Sequence, residues 1–262
     1  MLSNLSNAID MLVSESSGIP IDREQIQSLV SKIVIKLSSS FNNERYLDKS
    51  IEDAGPTLYY ETIDIIDAAG VGRRLFVELV VRPPTNSLNL ITGAQFQIKR
   101  VGRALELIFS VIVDINGTYT WRELFKHEDS FRTSLTSTLA HEITHASDPF
   151  MMIDVKSKKA QRHQLSPSKD LGAYLNSPSE VRAYIASIRE DIEEYKKIFK
   201  QSYGKEWEPK QALSNIRSNF TDFGEWLRTI SHRYLDMSSK LTPENRNYIL
   251  SKTYAYIFGG QQ

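Results

Sequence analysis

The sequence predicts an α+β fold, a small and mostly antiparallel sheet followed by a helix that carries the chemistry and then by a helical C-terminal lobe. Three observations predict it. Apolar residues recur at helical spacing between Ile26 and Leu37, with a period of two between about Leu58 and Arg122, and at helical spacing again almost throughout from Ser130 onward. Strands first and helices after is the order of an α+β chain, not the alternation of an α/β one. The chain divides accordingly into a helical segment over residues 1–56, a lobe over 57–150 with the sheet and the helix behind it, and a helical lobe over 151–262.

The first helix has Ile26, Leu29, Val30, Ile33, Val34 and Leu37 on one face, between a start at Asp22 and a break at Ser38-Ser39-Ser40. A shorter helix fits Leu2 to Val13. In the sheet zone, Arg73 to Arg82 places Leu75, Val77, Leu79 and Val81 on one face. Ala69-Gly70-Val71-Gly72 before it reads as a hairpin turn and not a dinucleotide loop, because Leu75 stands where the third glycine would be. Gly93 to Val101 alternates Ala94, Phe96 and Ile98 with Gln95, Gln97 and Lys99, so one side should face water. Leu105 to Ile115 is apolar on both faces, as a central strand is. Asn116-Gly117 then predicts a tight hairpin that returns Thr118 to Trp121 as an edge strand, completing a β-meander and offering an edge to an extended peptide.

Asp129 or Ser130 can cap the next helix, which Pro149 stops. A basic loop follows, with Lys156, Lys158, Lys159, Arg162, His163 and Lys169. Ser177-Pro178-Ser179-Glu180 opens a long helix with the stripe Val181, Tyr184, Ile185, Ile188, Ile192, Tyr195 and Phe199. Its acidic run Glu190, Asp191, Glu193 and Glu194 reads as a solvated face. Further helices fit Pro209–Phe220, Phe223–Leu235 and Pro243–Ile257, the last capped by Thr242.

Composition narrows the function classes. The 32 basic residues balance 32 acidic ones, which removes the electrostatic argument for a nucleic-acid partner. No cysteine is present, so thiolate nucleophiles, disulfides and Cys-ligated metals are excluded. The longest apolar run, Leu107 to Val113, is far short of the roughly 18–20 residues that span a bilayer. Met1 to Gly18 carries Asp10 and Glu15 and has no basic stretch, unlike a secretory signal. The expectation is a soluble chain, cytoplasmic by default, without a membrane partner; its oligomeric state is open.

One motif carries chemistry: His141-Glu142-Ile143-Thr144-His145. On a helix, residues four apart lie one turn apart on one face, so both imidazoles can grip a single tetrahedral zinc ion. Glu142 sits beside them, placed to take a proton from water. Phe131, Leu135, Leu139 and Ile143 supply the core-facing stripe of the same helix. The competing reading is two ordinary helix histidines with a solvated glutamate. Zinc on two histidines needs a third protein ligand, for which Asp148, Asp154, His163, Asp170, Glu180, Glu190 and Asp191 are the downstream candidates. Glu180 opens the next long helix, from whose first turn a carboxylate can point into a cleft. Equally, Ser177-Pro178-Ser179-Glu180 is a capping box in which Glu180 would bind the Ser177 N–H.

At Thr138-Leu-Ala-His-Glu-Ile-Thr-His-Ala146 and Asn176-Ser-Pro-Ser-Glu180-Val-Arg-Ala-Tyr184 the chain resembles the zincin metallopeptidases, specifically the gluzincin group. The resemblance implies a zincin-like fold, one zinc ion on His141, His145 and Glu180, and Glu142 as general base in the hydrolysis of a protein or peptide substrate. It covers about Leu58 to Phe199. Tyr184 stands where the group often has an aspartate that orients a histidine ligand, so that support must come from elsewhere, such as Asp148 or a backbone carbonyl. A second donor for the oxyanion could be Tyr184, Tyr174, His163 or His232. The alternative of a different class is a zincin-fold structural or regulatory module that binds zinc or a partner without turnover. An esterase or amidase would use the same residues.

Overall fold

A computed structural model describes residues 23–66, 72–83, 89–101, 106–146 and 170–259. The chain forms two compact units, Met1–Ile153 and Asp154–Gln262, each with its own apolar core.

In the first unit, helix α1 (Arg23–Phe41) buries all six residues of the expected stripe. It does not stop at the three serines. Ser39 turns its hydroxyl onto the Lys36 carbonyl at 2.9 Å, and Phe41 in the last turn stacks on Trp121 at 4.0 Å. Asp22 and the expected helix over Leu2 to Val13 lie outside the described residues. Helix α2 (Glu44–Leu47) and a 3-10 turn (Ile51–Ala54) lead into the sheet.

The sheet comprises β1 (Thr57–Ile66), β2 (Gly72–Arg82), β3 (Ile91–Val101) and β4 (Glu106–Asn116), in the spatial order β1-β2-β4-β3. The pairs β1/β2 and β3/β4 are antiparallel, whereas β2 and β4 run parallel, from Leu75 opposite Phe109 to Arg82 opposite Asn116. The sheet is therefore mixed and not a meander. Residue pattern accounts for the order: β4 is apolar on both faces and takes a central place, while β3, with the exposed Gln95, takes an edge. Leu75, Val77 and Leu79 of β2 and Phe109, Val111, Val113 and Ile115 of β4 are buried in one core, with Ala94, Phe96 and Ile98 of β3 packed against it.

The hairpin expected at Asn116-Gly117 does not form, and Thr118 to Trp121 is not a strand. Thr120 makes one isolated bridge to Ser50 and then caps helix α3 (Trp121–Lys126). Its hydroxyl accepts the Glu123 N–H at 3.2 Å, and the Glu123 carboxylate accepts the Thr120 N–H at 2.8 Å. Thr120-x-x-Glu123 is thus a capping box, a helix signal that outweighs the turn signal three residues earlier. Glycine at 117 serves close approach. A Cβ there would meet Val81 Cγ1 at 2.9 Å, Glu52 Cβ at 3.0 Å and the Arg82 carbonyl oxygen at 3.1 Å. Its φ is not positive; among the described glycines only Gly55 and Gly204 have that conformation. Among the described residues the sheet edges are therefore β1 and β3.

Helix α4 (Glu128–Ala146) begins one residue before Asp129, so Asp129 and Ser130 lie in its first turn and are not its caps. The His127 carbonyl accepts the Phe131 N–H at 3.0 Å. Phe131, Leu135, Leu139 and Ile143 are buried in the sheet's core as the stripe requires. Pro149 and the basic loop lie outside the described residues.

The second unit is helical: α5 (Leu171–Leu175), α6 (Pro178–Tyr203), α7 (Pro209–Asn219), α8 (Phe223–Ile230), α9 (His232–Met237) and α10 (Pro243–Phe258). Gly204, at φ 64°, ends α6. Thr242 caps α10 by accepting the Asn245 N–H at 3.3 Å. The helix expected over Phe223–Leu235 is two helices joined at Ser231, whose backbone is extended at φ −125° and ψ 110°. Ser231 donates its N–H to the Leu227 carbonyl at 2.9 Å and accepts the Tyr234 N–H on its hydroxyl at 3.1 Å, closing one helix and opening the next. That hydroxyl also donates to Asp191 at 2.7 Å. Asp191 is buried, so the acidic run on α6 is not simply a solvated face. Among the described residues no helix is long and apolar enough to cross a membrane.

Candidate metal centre

Helix α4 places His141 and His145 one turn apart, with ring centroids 5.2 Å from each other and the planes nearly perpendicular. Both are buried, at 7% and 5% exposure, and Glu142 is 8% exposed. The fully apolar stripe of this helix anchors it to the sheet, which fixes the rotation at which the histidine side is presented. Phe96 of β3 lies beside His145, ring centroids 6.3 Å apart. Phe96 was not among the expected site residues; its inward place in the β3 alternation was the signal available.

Glu180 is the third residue of α6 and 3% exposed. Proline at 178 fits the first helical position, and the Ser177 hydroxyl accepts the Glu180 N–H at 3.4 Å. The other half of a capping box is absent: the Ser177 N–H donates to the Tyr174 carbonyl at 3.0 Å instead of to Glu180. Contrast Thr120 and Glu123, where both halves are made. One ligand atom from each of His141, His145 and Glu180 lies within 4.8 Å of the other two, and the buried trio could hold a metal ion.

The other candidate ligands are placed differently. Asp170 caps α5 by accepting the Ala173 N–H at 2.9 Å. Asp191 accepts from Ser231, and Glu190 is half-buried further along α6. Asp148, Asp154 and His163 lie outside the described residues. Of the residues considered as oxyanion donors, Tyr184 is buried in the apolar cluster of the second unit, one turn after Glu180. Tyr174 is half-buried on α5, and His232 is exposed as the first residue of α9. No protein-family model matches the chain, and no curated protein and no solved structure matches it.

Proposed function

We propose that the chain is a zinc-dependent endopeptidase of zincin-like fold, with His141, His145 and Glu180 as the ligands of one zinc ion and Glu142 as the general base. The observation that carries this reading is the buried trio of two imidazoles and a carboxylate within 4.8 Å. Its donor chemistry fits the ion. Three N and O ligands are the protein share of a catalytic zinc site, which leaves the fourth position open. When bound, zinc supplies Lewis acidity, acidifying a water and polarising a carbonyl. Glu142 follows a ligand directly in sequence and is itself buried, a setting in which its carboxylate can take the proton of the attacking water and return it to the leaving nitrogen. A peptide is the substrate class favoured by β3. That strand pairs only with β4 among the described residues, and its Phe96 adjoins His145.

Elemental analysis of purified wild type, Glu180→Ala and Glu142→Gln, followed by hydrolysis of unfolded casein and a peptide library, tests this reading. The expected outcome is near one zinc per chain in wild type and Glu142→Gln, a sharp loss in Glu180→Ala, and hydrolysis in wild type alone. Zinc-free wild type after reconstitution would refute the metal centre. Stoichiometric zinc without cleavage anywhere in the library would leave the non-catalytic module as the reading.

A further inference from the structure

The second unit holds unsatisfied donors of its own. Tyr234 is fully buried at 0% exposure, and its hydroxyl has no hydrogen-bond partner; the buried Nε of Arg246 has none either. Leaving a buried donor unmet is costly enough that such groups are rare in native proteins, and each calls for an acceptor.

Helices α8, α9 and α10 converge at this point. The position of a Cβ on Gly224 of α8 is 3.4 Å from the Tyr234 hydroxyl of α9 and 3.5 Å from Leu250 Cδ2 of α10. One turn away on each helix stands a polar residue: Arg228 after Gly224, Ser238 after Tyr234, and Arg246 before Leu250. Arg228 Nε donates to the Ser238 hydroxyl at 3.2 Å, and Arg246 Nη2 reaches the Leu241 carbonyl at 3.5 Å. Burial pushes the Tyr234 phenol up, while the charges of Arg228 and Arg246 pull it down, so both guanidiniums bear on that hydroxyl. Asp222 opposes them, but its Oδ1 is engaged by the Glu225 N–H at 2.8 Å. Arg228 also bears on the Glu225 carboxyl, whose Oε2 is engaged by the Thr221 N–H and hydroxyl, both at 2.6 Å, so both nearby carboxylates already have closer donors.

We propose that Arg228, Arg246 and the Tyr234 hydroxyl form a binding site for a phosphate-type oxyanion, either free or as a phosphomonoester. Guanidinium forks match the tetrahedral oxyanion, and a phenol adds a neutral donor with a fixed direction. The site is built from the second unit alone and shares no residue with the proposed zinc ligands.

Thermal unfolding of the full chain in rising inorganic phosphate, against sodium chloride at matched ionic strength, reads the site directly. Wild type should show a saturable rise in Tm. Arg246→Gln should bind about ten- to a hundredfold more weakly, the loss expected for a charge-assisted bond. Tyr234→Phe removes a hydroxyl that makes no bond, so it should fold and still lose phosphate affinity several-fold. Phosphoserine in place of inorganic phosphate distinguishes the sources: tighter binding of the ester identifies a phosphorylated group as the ligand, and equal or weaker binding identifies free phosphate. Glu180→Ala should keep the response; its loss there would put the anion at the metal centre and overturn the assignment. A response that both Arg246→Gln and Tyr234→Phe retain marks an adventitious ion only. No response beyond that of chloride overturns the site as well, and leaves an ordinary buried water as the acceptor.

Discussion

Gly117 offers the sharpest test of the fold. An alanine Cβ at this position would lie 2.9, 3.0 and 3.1 Å from Val81 Cγ1, Glu52 Cβ and the Arg82 carbonyl oxygen. Comfortable heavy-atom contacts begin near 3.5 Å, so three overlaps of roughly half an ångström must be relieved together. The Val81 methyl can swing aside, but the Arg82 carbonyl is part of β2 and cannot move without disturbing the β2/β4 ladder. Overpacking of this kind costs about 2 kcal/mol, which lowers Tm by roughly 4–8 °C in a unit of about 150 residues. Gly72→Ala is the control, because a Cβ there meets nothing within 4 Å and should leave Tm almost unchanged. Gly117→Asn discriminates between physical causes. If the glycine served a left-handed turn, Asn would be tolerated better than Ala, since it enters that conformation more easily. Close approach predicts the reverse, because Asn is larger. Differential scanning calorimetry of the four proteins decides it. The reasoning is refuted if Gly117→Ala melts with the parent or if Gly117→Asn proves the milder change.

Three further outcomes are expected. Asp191→Ala should destabilise the second unit by about 2–4 kcal/mol, since it removes a charge-assisted bond to Ser231 and loosens the cap of α9; urea unfolding measures it, and Asp191→Asn should be milder. The Tyr59 hydroxyl, then the Lys32 ammonium at 3.0 Å, hold the Glu61 carboxyl below its usual 4.5 against the opposing effect of burial. A depressed carboxylate stabilises the fold above the unfolded pKa, and that stability is lost as pH falls through the folded value. Glu61→Gln should therefore flatten the fall in urea midpoint below about pH 4.5; an acid limb identical to the parent's would contradict this. On the proposed zinc reading, zinc at a thousandfold excess over its Kd should add about 4 kcal/mol to stability, seen as a Tm rise that chelator reverses and Glu180→Ala abolishes.

Where the sequence is legible, one residue pattern answers one local question. The stripe from Ile26 to Leu37 is buried residue for residue, and Leu75, Val77 and Leu79 face the core as their alternation demands. The double-faced apolarity of Leu105 to Ile115 marks the central place of β4, yet it says nothing of direction. Parallel pairing with β2 depends on where the chain between them travels, a non-local matter that periodicity does not encode. Signals that compete within a few residues are the other source of error. Asn116-Gly117 and Thr120-x-x-Glu123 point to different structures, and the capping box prevails because it satisfies backbone groups that a helix would otherwise leave open. At Ser231 the apolar rhythm runs on across a break where the serine hydroxyl caps the next helix and donates to the distant Asp191. The histidine pair was legible because four residues on a helix is a fixed geometry, independent of the rest of the fold. Glu180 was ambiguous because one residue can cap or coordinate. The Ser177 N–H, bonded to the Tyr174 carbonyl, resolves its capping half.

The inserted position of β4 also bears on how the chain avoids self-association. A strand apolar on both faces, Leu107 to Val113 in particular, is the kind of segment that stacks into intermolecular β-structure when its edges are open. In the native sheet both edges of β4 are occupied, by β2 on one side and β3 on the other. The strands left at the margins carry charge or amide groups, Glu61 and Asp64 on β1 and Gln95 and Gln97 on β3. These resist a further strand more strongly than a row of valines and isoleucines would. The hazard is therefore confined to folding intermediates in which β3 and β4 have not yet docked on β2, and a mutation that slows that docking should reveal itself as aggregation on refolding before it is visible as a lower melting temperature.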